Sequence, residues 1–479
     1  MLKKHIISIL KDRLGYQPTS NQEELIDKLS DFVINTKERE IFLVKGYAGT
    51  GKTTIVSSLV KTLQKLKQKS ILLAPTGRAA KILTFYSNNK AYTIHRKIYR
   101  QKSSKDVFGE FVLDKNFHTN TIFIVDEASM IADYSNELSI FGSGRLLDDL
   151  LNYVYNDKKC KLILLGDTAQ LPPVGLDISP ALNKAVLESF GFSVVEMFLT
   201  DVIRQSQDSG VLYNATSIRN LINNKNISFP KFKLKGFTDI KRIDGSDLIE
   251  KISDAYDKYG IEGTMVVGRS NKRVVKYNQG IRNQILWREE EISIGEYLMV
   301  VRNNYYWLQE DESQKIGIDF IANGDIVEII KIHQYQERYG FRFADVTIRF
   351  VDYENIEIPV KILLDTLTIE TAALTNEENK KFYYSVIKDY EEYRSKRKKY
   401  EMVRNNPFFN ALQVKYAYAV TCHKAQGGQW EAVFIDQGYV NDDMLNVEYL
   451  RWLYTAFTRA IKKLYLVNFR NMFFAEEEL

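Results

Sequence analysis

Cysteine is almost absent from this chain: Cys160 and Cys422 are the two in 479 residues. They stand in unrelated contexts without metal-ligand spacing, which excludes a disulfide framework and points to free thiols in a reducing compartment. Long apolar runs are missing too. No stretch reaches the roughly eighteen residues of a membrane span. In the amino-terminal MLKKHIISILKDRLGY, Lys11 and Arg13 cut the apolar patch too short for a secretory signal, so it reads as a first helix. Charge of one sign is in slight excess only, +5 from 66 basic and 61 acidic residues. That permits a nucleic-acid partner without requiring one. What remains is an ordinary globular composition, 45% hydrophobic and 27% charged, in a chain long enough for roughly two to four domains.

Against this plain background one segment carries chemistry. The apolar run Glu40 to Val44 leads into GYAGTGKTT, Gly46 to Thr54, and then into IVSSLVKTLQKLKQ, apolar at helical spacing. Strand, glycine loop and helix in that order satisfy the P-loop pattern through Gly46, Gly51, Lys52 and Thr53. Glycines let backbone N–H groups wrap phosphates, the lysine neutralises β/γ oxygens, and the threonine hydroxyl ligates Mg²⁺. Downstream, the buried-strand pattern TIFIV ends in Asp126-Glu127. A carboxylate at that end of a strand suits Mg²⁺, and its neighbour suits polarising an attacking water. A third strand, in KLILLGDTAQLPPVG, ends in Gly166-Asp167, and Gln170 follows where a neutral amide can sense a γ-phosphate.

The ordered set GYAGTGKT, LLAPTGRAAKIL, TIHR, IVDEASM, LLGDTAQLPPVG, VIRQ, AVTCHKAQGGQW and YTAFTRA runs from about Thr19 to Val467. It resembles the superfamily 1B helicases, most of all the Dda-like and RecD-like enzymes. That resemblance implies an α/β fold of two RecA-like P-loop domains with ATP and Mg²⁺ in the cleft between them. Gln22 would read adenine, and Gly49, Thr50 and Thr54 would complete the cradle of Gly46, Gly51, Lys52 and Thr53. Arg204 and Arg459 match the two arginines that the second domain supplies on closure, a contribution of ~10³–10⁵ in rate where one acts as a finger. Single-stranded DNA would cross Pro75, Thr76, Arg78, Thr93, His95, Thr421, His423 and Lys424, with Gln426 and Gly427 linking this track to the nucleotide.

Between TIHR and the acidic strand, the alternating runs KIYRQ and VFGEFVL flank a polar turn and read as a β-hairpin. In relatives a hairpin here is the pin that splits the duplex. Unstacking costs about 1.4 kcal/mol per base-pair step, and a base on an aromatic ring returns ~1–3 kcal/mol. Phe108 is the first choice for that ring and Phe111 the second; the alternative is that both pack the hairpin onto its domain.

The expected organisation is a first RecA-like domain over 1–200, with the pin at about 97–118. The second domain follows in two parts, 201–315 and 411–479. Within it an SH3-like barrel at 316–364 begins with the NGD-type turn of IANGDIVEII, and a charged helical extension covers 365–410. Asn271, in the fourth-motif region, receives no role. The resemblance implies an ATP-dependent helicase working 5′→3′ on single-stranded DNA and duplex junctions, in DNA replication or repair. It is expected to be a monomer without membrane association, in the cytoplasm of a bacterium or a phage-infected cell. Two alternatives stay open: the same engine acting on RNA or protein–DNA complexes, and a nucleotide-switched binding module that separates nothing.

Overall fold

The structure is a computed structural model that describes residues 2–101, 111–133, 142–156, 159–201, 208–224, 227–308, 320–352 and 356–475. Ile6, Ile9, Leu10 and Leu14 give the helix Leu2–Leu14 its buried side. Thr19 then opens the helix Ser20–Ile34 with a capping box to Gln22, a device that contributes about 1 kcal/mol.

The first lobe contains β1 (Glu40–Gly46), β2 (Lys69–Ala74) and β3 (Ala91–Thr93), then a hairpin of β4 (Tyr99–Gln101) and β5 (Phe111–Leu113). It continues with β6 (Thr121–Val125), β7 (Lys161–Gly166) and β8 (Ser193–Leu199). Six of these form one parallel sheet in the order β3-β2-β6-β7-β1-β8. TIFIV in β6 is buried at every position, as a parallel strand covered on both faces must be. The carboxyl ends of neighbouring β6, β7 and β1 therefore place the acid pair, the Gly166-Asp167 loop and the glycine loop side by side. That is where open α/β sheets hold ligands.

The second lobe supplies β9 (Ile240–Ile243) and β10 (Thr264–Gly268) before a long insertion. In the insertion, β11 (Tyr297–Val300), β12 (Ile326–Arg338), β13 (Phe341–Phe350), β14 (Glu357–Leu363) and β15 (Leu412–Tyr416) close into a barrel. The barrel is wider in sequence than the expected 316–364. Strand β11 pairs with both β12 and β15, and β14 pairs with β15, so residues from either side of that range remove edges a smaller sheet would expose. The lobe is completed by β16 (Ala419–Thr421), β17 (Trp430–Asp436) and β18 (Ala460–Val467), in the parallel order β16-β10-β17-β18-β9.

The charged segment folds into helices Asn376–Ile387 and Lys396–Arg404. Phe382, Val386 and Val403 pack on Phe343 and Leu363 of the barrel. Lys396, Lys398 and Lys399 lie on the part of the second helix that is not buried. Both cysteines are buried, and neither is in a disulfide. Among the described residues no helix is long and apolar enough to cross a membrane.

Candidate nucleotide cleft and nucleic-acid interface

Gly49 and Gly51 adopt φ of 78° and 82°, which L side chains rarely reach, and Gly51 caps the helix Lys52–Lys65. The lysine is folded back on its own loop. Its Nζ donates to the carbonyls of Gly46 at 2.6 Å and Tyr47 at 2.9 Å. The Thr50 hydroxyl donates to the Tyr47 carbonyl at 2.8 Å. Thr53 and Thr54 sit in the first turn of that helix. Gln22 is fully buried rather than solvated. Its amide accepts from Thr19 N–H at 3.1 Å and donates to the Thr50 carbonyl at 2.9 Å, so it braces the loop from behind.

Asp126 N–H is tied to the Leu73 carbonyl at 3.0 Å, and its Oδ1 accepts from Glu127 N–H at 2.8 Å. Burial, and then the negative charge of Glu127, push the Asp126 carboxyl up to about 6; the Glu127 N–H and Lys52 pull the other way. Glu127 has φ of 54°, the left-handed region that costs a non-glycine residue free energy and that functional sites tend to retain. In the next loop Gln170 is 6% exposed, and its Oε1 is buried without a partner among the described residues. An orphaned buried acceptor costs about 1–3 kcal/mol.

Second-lobe groups reach this cleft. Tyr454, from the helix Val447–Phe457, accepts from Ala48 N–H of the glycine loop at 2.9 Å and donates to Asp167 at 2.7 Å. Leu171 N–H donates to Thr455 Oγ1 at 2.9 Å, and Gln426 donates to the Leu171 carbonyl at 2.6 Å. Arg459 is buried at 3% exposure and turned toward its own lobe. It donates to the Thr455 carbonyl, the Gly428 carbonyl and Thr458 Oγ1 at 2.9, 3.2 and 3.0 Å. Arg204 lies outside the described residues.

Of the residues expected along the nucleic-acid track, several face inward or across the lobes. Thr76 caps the helix Gly77–Ser87, and Pro75 precedes it. Arg78 stacks 4.1 Å from the Trp430 ring centroid of the second lobe and donates to the Gln429 carbonyl. Gly427, at φ of 73°, comes so close that an added Cβ would lie 3.0 Å from Thr76 Oγ1. Thr93 is 8% exposed and caps the helix Ile94–Ile98. His95 is held neutral, its pKa lowered to about 4 by burial. Thr421 starts the short helix Cys422–Ala425, His423 is exposed, and Lys424 bonds Asn323 beside the barrel. Burial lowers Lys424 to about 8. Phe108 lies outside the described residues. Phe111 is buried at the hairpin base, 4.6 Å from Tyr305 and 6.1 Å from Phe320 between ring centroids.

The AAA domain family matches residues 31–176, and the UvrD-like helicase C-terminal domain family matches residues 416–467. The ATP-dependent DNA helicase Dda of Enterobacteria phage T4 is 26% identical over 82% of this chain and 86% of its own length. The RecBCD enzyme subunit RecD of Buchnera aphidicola (subsp. Schizaphis graminum) is 25% identical over 92% of this chain and 72% of its own. These matches support a superfamily 1B helicase. The crystal structure of Pif1 helicase from Bacteroides in complex with ADP-AlF3 and ssDNA aligns with this chain over 94% of each, at 16% identity and a TM-score of 0.45.

Sequence motifs did not single out every group that meets the helicase's cleft. Tyr454 stands five residues before Arg459, inside YTAFTRA, where a tyrosine in an apolar helix reads as core. Arg219 and Asn223 belong to the helix Gly210–Asn223, outside every motif quoted above. Near TIHR, Lys90, Arg96 and Lys97 stand 5.6, 5.3 and 5.6 Å from the ring centre of Tyr92 on edge strand β3. The alternation of cations with an aromatic was the available signal there.

Proposed function

We propose that this ATP-dependent DNA helicase draws itself along single-stranded DNA in the 5′→3′ direction and separates the duplex it meets. The observation that carries this reading is the direct hold of the second lobe on the glycine loop, from Ala48 N–H through the Tyr454 hydroxyl to Asp167. A loop gripped from both lobes cannot change its contents without altering the fit between them. Hydrolysis thereby becomes relative movement.

Lys52 exchanges the Gly46 and Tyr47 carbonyls for phosphate oxygens when ATP enters. Burial first, and then the charge of Glu127, raise the pKa of Asp126, and a buried carboxyl beside a second one suits a cation there. Asp126 and Thr53 would hold Mg²⁺, since one carboxylate and one hydroxyl are a common protein share when phosphates and waters complete the octahedron. Bound there, Mg²⁺ would neutralise phosphate charge. Glu127 then takes the proton of the attacking water, and Gln170 orients that water. Arg459 and Arg204 complete the site as the lobes close, Arg459 by releasing its own-lobe carbonyls.

Thr76, His423, Lys424 and the cations around Tyr92 line the strand's path as phosphate contacts, which position without reading sequence. The direction rests on the likeness to superfamily 1B enzymes. The hairpin bearing Phe108 is the pin, and the working unit is a monomer. Steady-state ATPase turnover without nucleic acid, with single-stranded DNA and with single-stranded RNA tests the reading. Stimulation by DNA of about tenfold or more is expected. Equal or greater stimulation by RNA, or none by DNA, would overturn it.

A further inference from the structure

Tyr47, the second residue of the glycine loop, is engaged from both sides of the cleft. Its carbonyl accepts from Lys52 at 2.9 Å. Its ring, 5% exposed, lies 4.4 Å from the Arg219 guanidinium, and its hydroxyl is 3.1 Å from Asn223 Oδ1 and 2.8 Å from Asn223 Nδ2. Arg219 and Asn223 are four residues apart on one helix of the second lobe and so share a face. Arg219 is itself 9% exposed, and its Nε is buried without a partner among the described residues. Burying a cation against a ring without satisfying all its donors is costly. A plain helix–loop contact would be served better by an apolar side chain.

We propose that Tyr47 is the positioning residue that passes the state of the phosphate site to the second lobe, with Arg219 and Asn223 as its receivers. Lys52 Nζ is held by the carbonyls of Gly46 and Tyr47. A triphosphate that draws the ammonium away releases both carbonyls and leaves the Tyr47 backbone free to turn. Its ring and hydroxyl carry that turn to the helix Gly210–Asn223. Ala48, next in the chain, is held by Tyr454, so two consecutive loop residues move against the second lobe as a unit.

This rests on the helicase reading, so the wild type is measured alongside. Tyr47→Phe removes the hydroxyl alone, Asn223→Ala removes its partner, and the double variant removes both. ATPase kcat and KM are measured with saturating single-stranded DNA, together with base pairs separated per ATP hydrolysed and thermal melting. Each single variant is expected to lose about fivefold in DNA-stimulated kcat with ATP KM within about twofold, and the double variant to lose no more than either. Arg219→Met should lose the coupling, and Arg219→Lys should recover part of it, because the charge is kept and the planar stacking is not. Wild-type kcat and separation per ATP in Tyr47→Phe and Asn223→Ala would overturn the proposal. So would single-variant losses that multiply in the double, or losses that merely track a lowered melting temperature. A wild type that DNA does not stimulate would instead sink the helicase reading, and this proposal with it.

Discussion

Replacing Asp126 by asparagine should make the nucleotide-free protein more stable while ending its turnover, and the size of the gain follows from its surroundings. Burial and the adjacent Glu127 lift the carboxyl from 3.8 to about 6. Ionising it is therefore harder in the folded chain than in the unfolded one. Below about pH 4 the group is neutral in both states and there is no penalty. The penalty grows as pH rises through the interval and is complete above about 6. Roughly two units at 1.36 kcal/mol each make it about 3 kcal/mol at pH 7.5, and about half of that at pH 5. Asparagine keeps an oxygen to accept from Glu127 N–H and carries no charge at any pH. Thermal or urea unfolding of wild type and Asp126→Asn, without nucleotide or Mg²⁺, should give a larger gain for the variant at pH 7.5 than at pH 5. Adding ATP with Mg²⁺ should then stabilise the wild type more than the variant. A variant less stable than wild type at pH 7.5, or a gain of the same size at both pH values, would refute the reasoning.

Lys52→Ala should weaken ATP binding by about a hundredfold or more, read by equilibrium titration with a fluorescent ATP analogue, since a charge-assisted contact to phosphate is lost. Glu127→Gln should still bind ATP while turnover falls by about 10²–10⁴-fold in steady-state assays. Gly427→Ala should spread the lobes, because its Cβ would meet Thr76 Oγ1 at 3.0 Å on a left-handed backbone. A loss of about 1–2 kcal/mol should appear as a raised ATP KM in the presence of DNA. Phe108→Ala should leave DNA-stimulated ATPase intact and lower strand separation in a fluorescence unwinding assay.

Local chemistry was legible in the sequence where a few adjacent residues determine it. The strand, glycine loop and helix from Glu40 to Lys65 follow from spacing and periodicity, and the fully buried β6 follows from TIFIV. Contacts between residues far apart in the chain were not legible. The resemblance puts Arg78 on the DNA track, but no local pattern shows that it stacks on Trp430, more than 300 residues away. The resemblance likewise puts His95 on that track, while its packing beside Tyr99, after the turn that Thr93 caps, shows only in the structure. Barrel closure by β11 and β15 depends on pairing across an intervening helical insertion, which periodicity within either strand cannot reveal. Tyr47 and Tyr454 read as core aromatics for the same reason: their hydroxyl partners, Asn223 and Asp167, come from the opposite lobe.

Matched duplexes bearing either a 5′ or a 3′ single-stranded tail, incubated with the protein and ATP, decide whether a cleft that clamps nucleotide also moves a strand. Separation of the 5′-tailed duplex, with the 3′-tailed one left intact, is the expected outcome. Robust ATP hydrolysis with neither duplex separated, or separation of the 3′-tailed duplex alone, would contradict it.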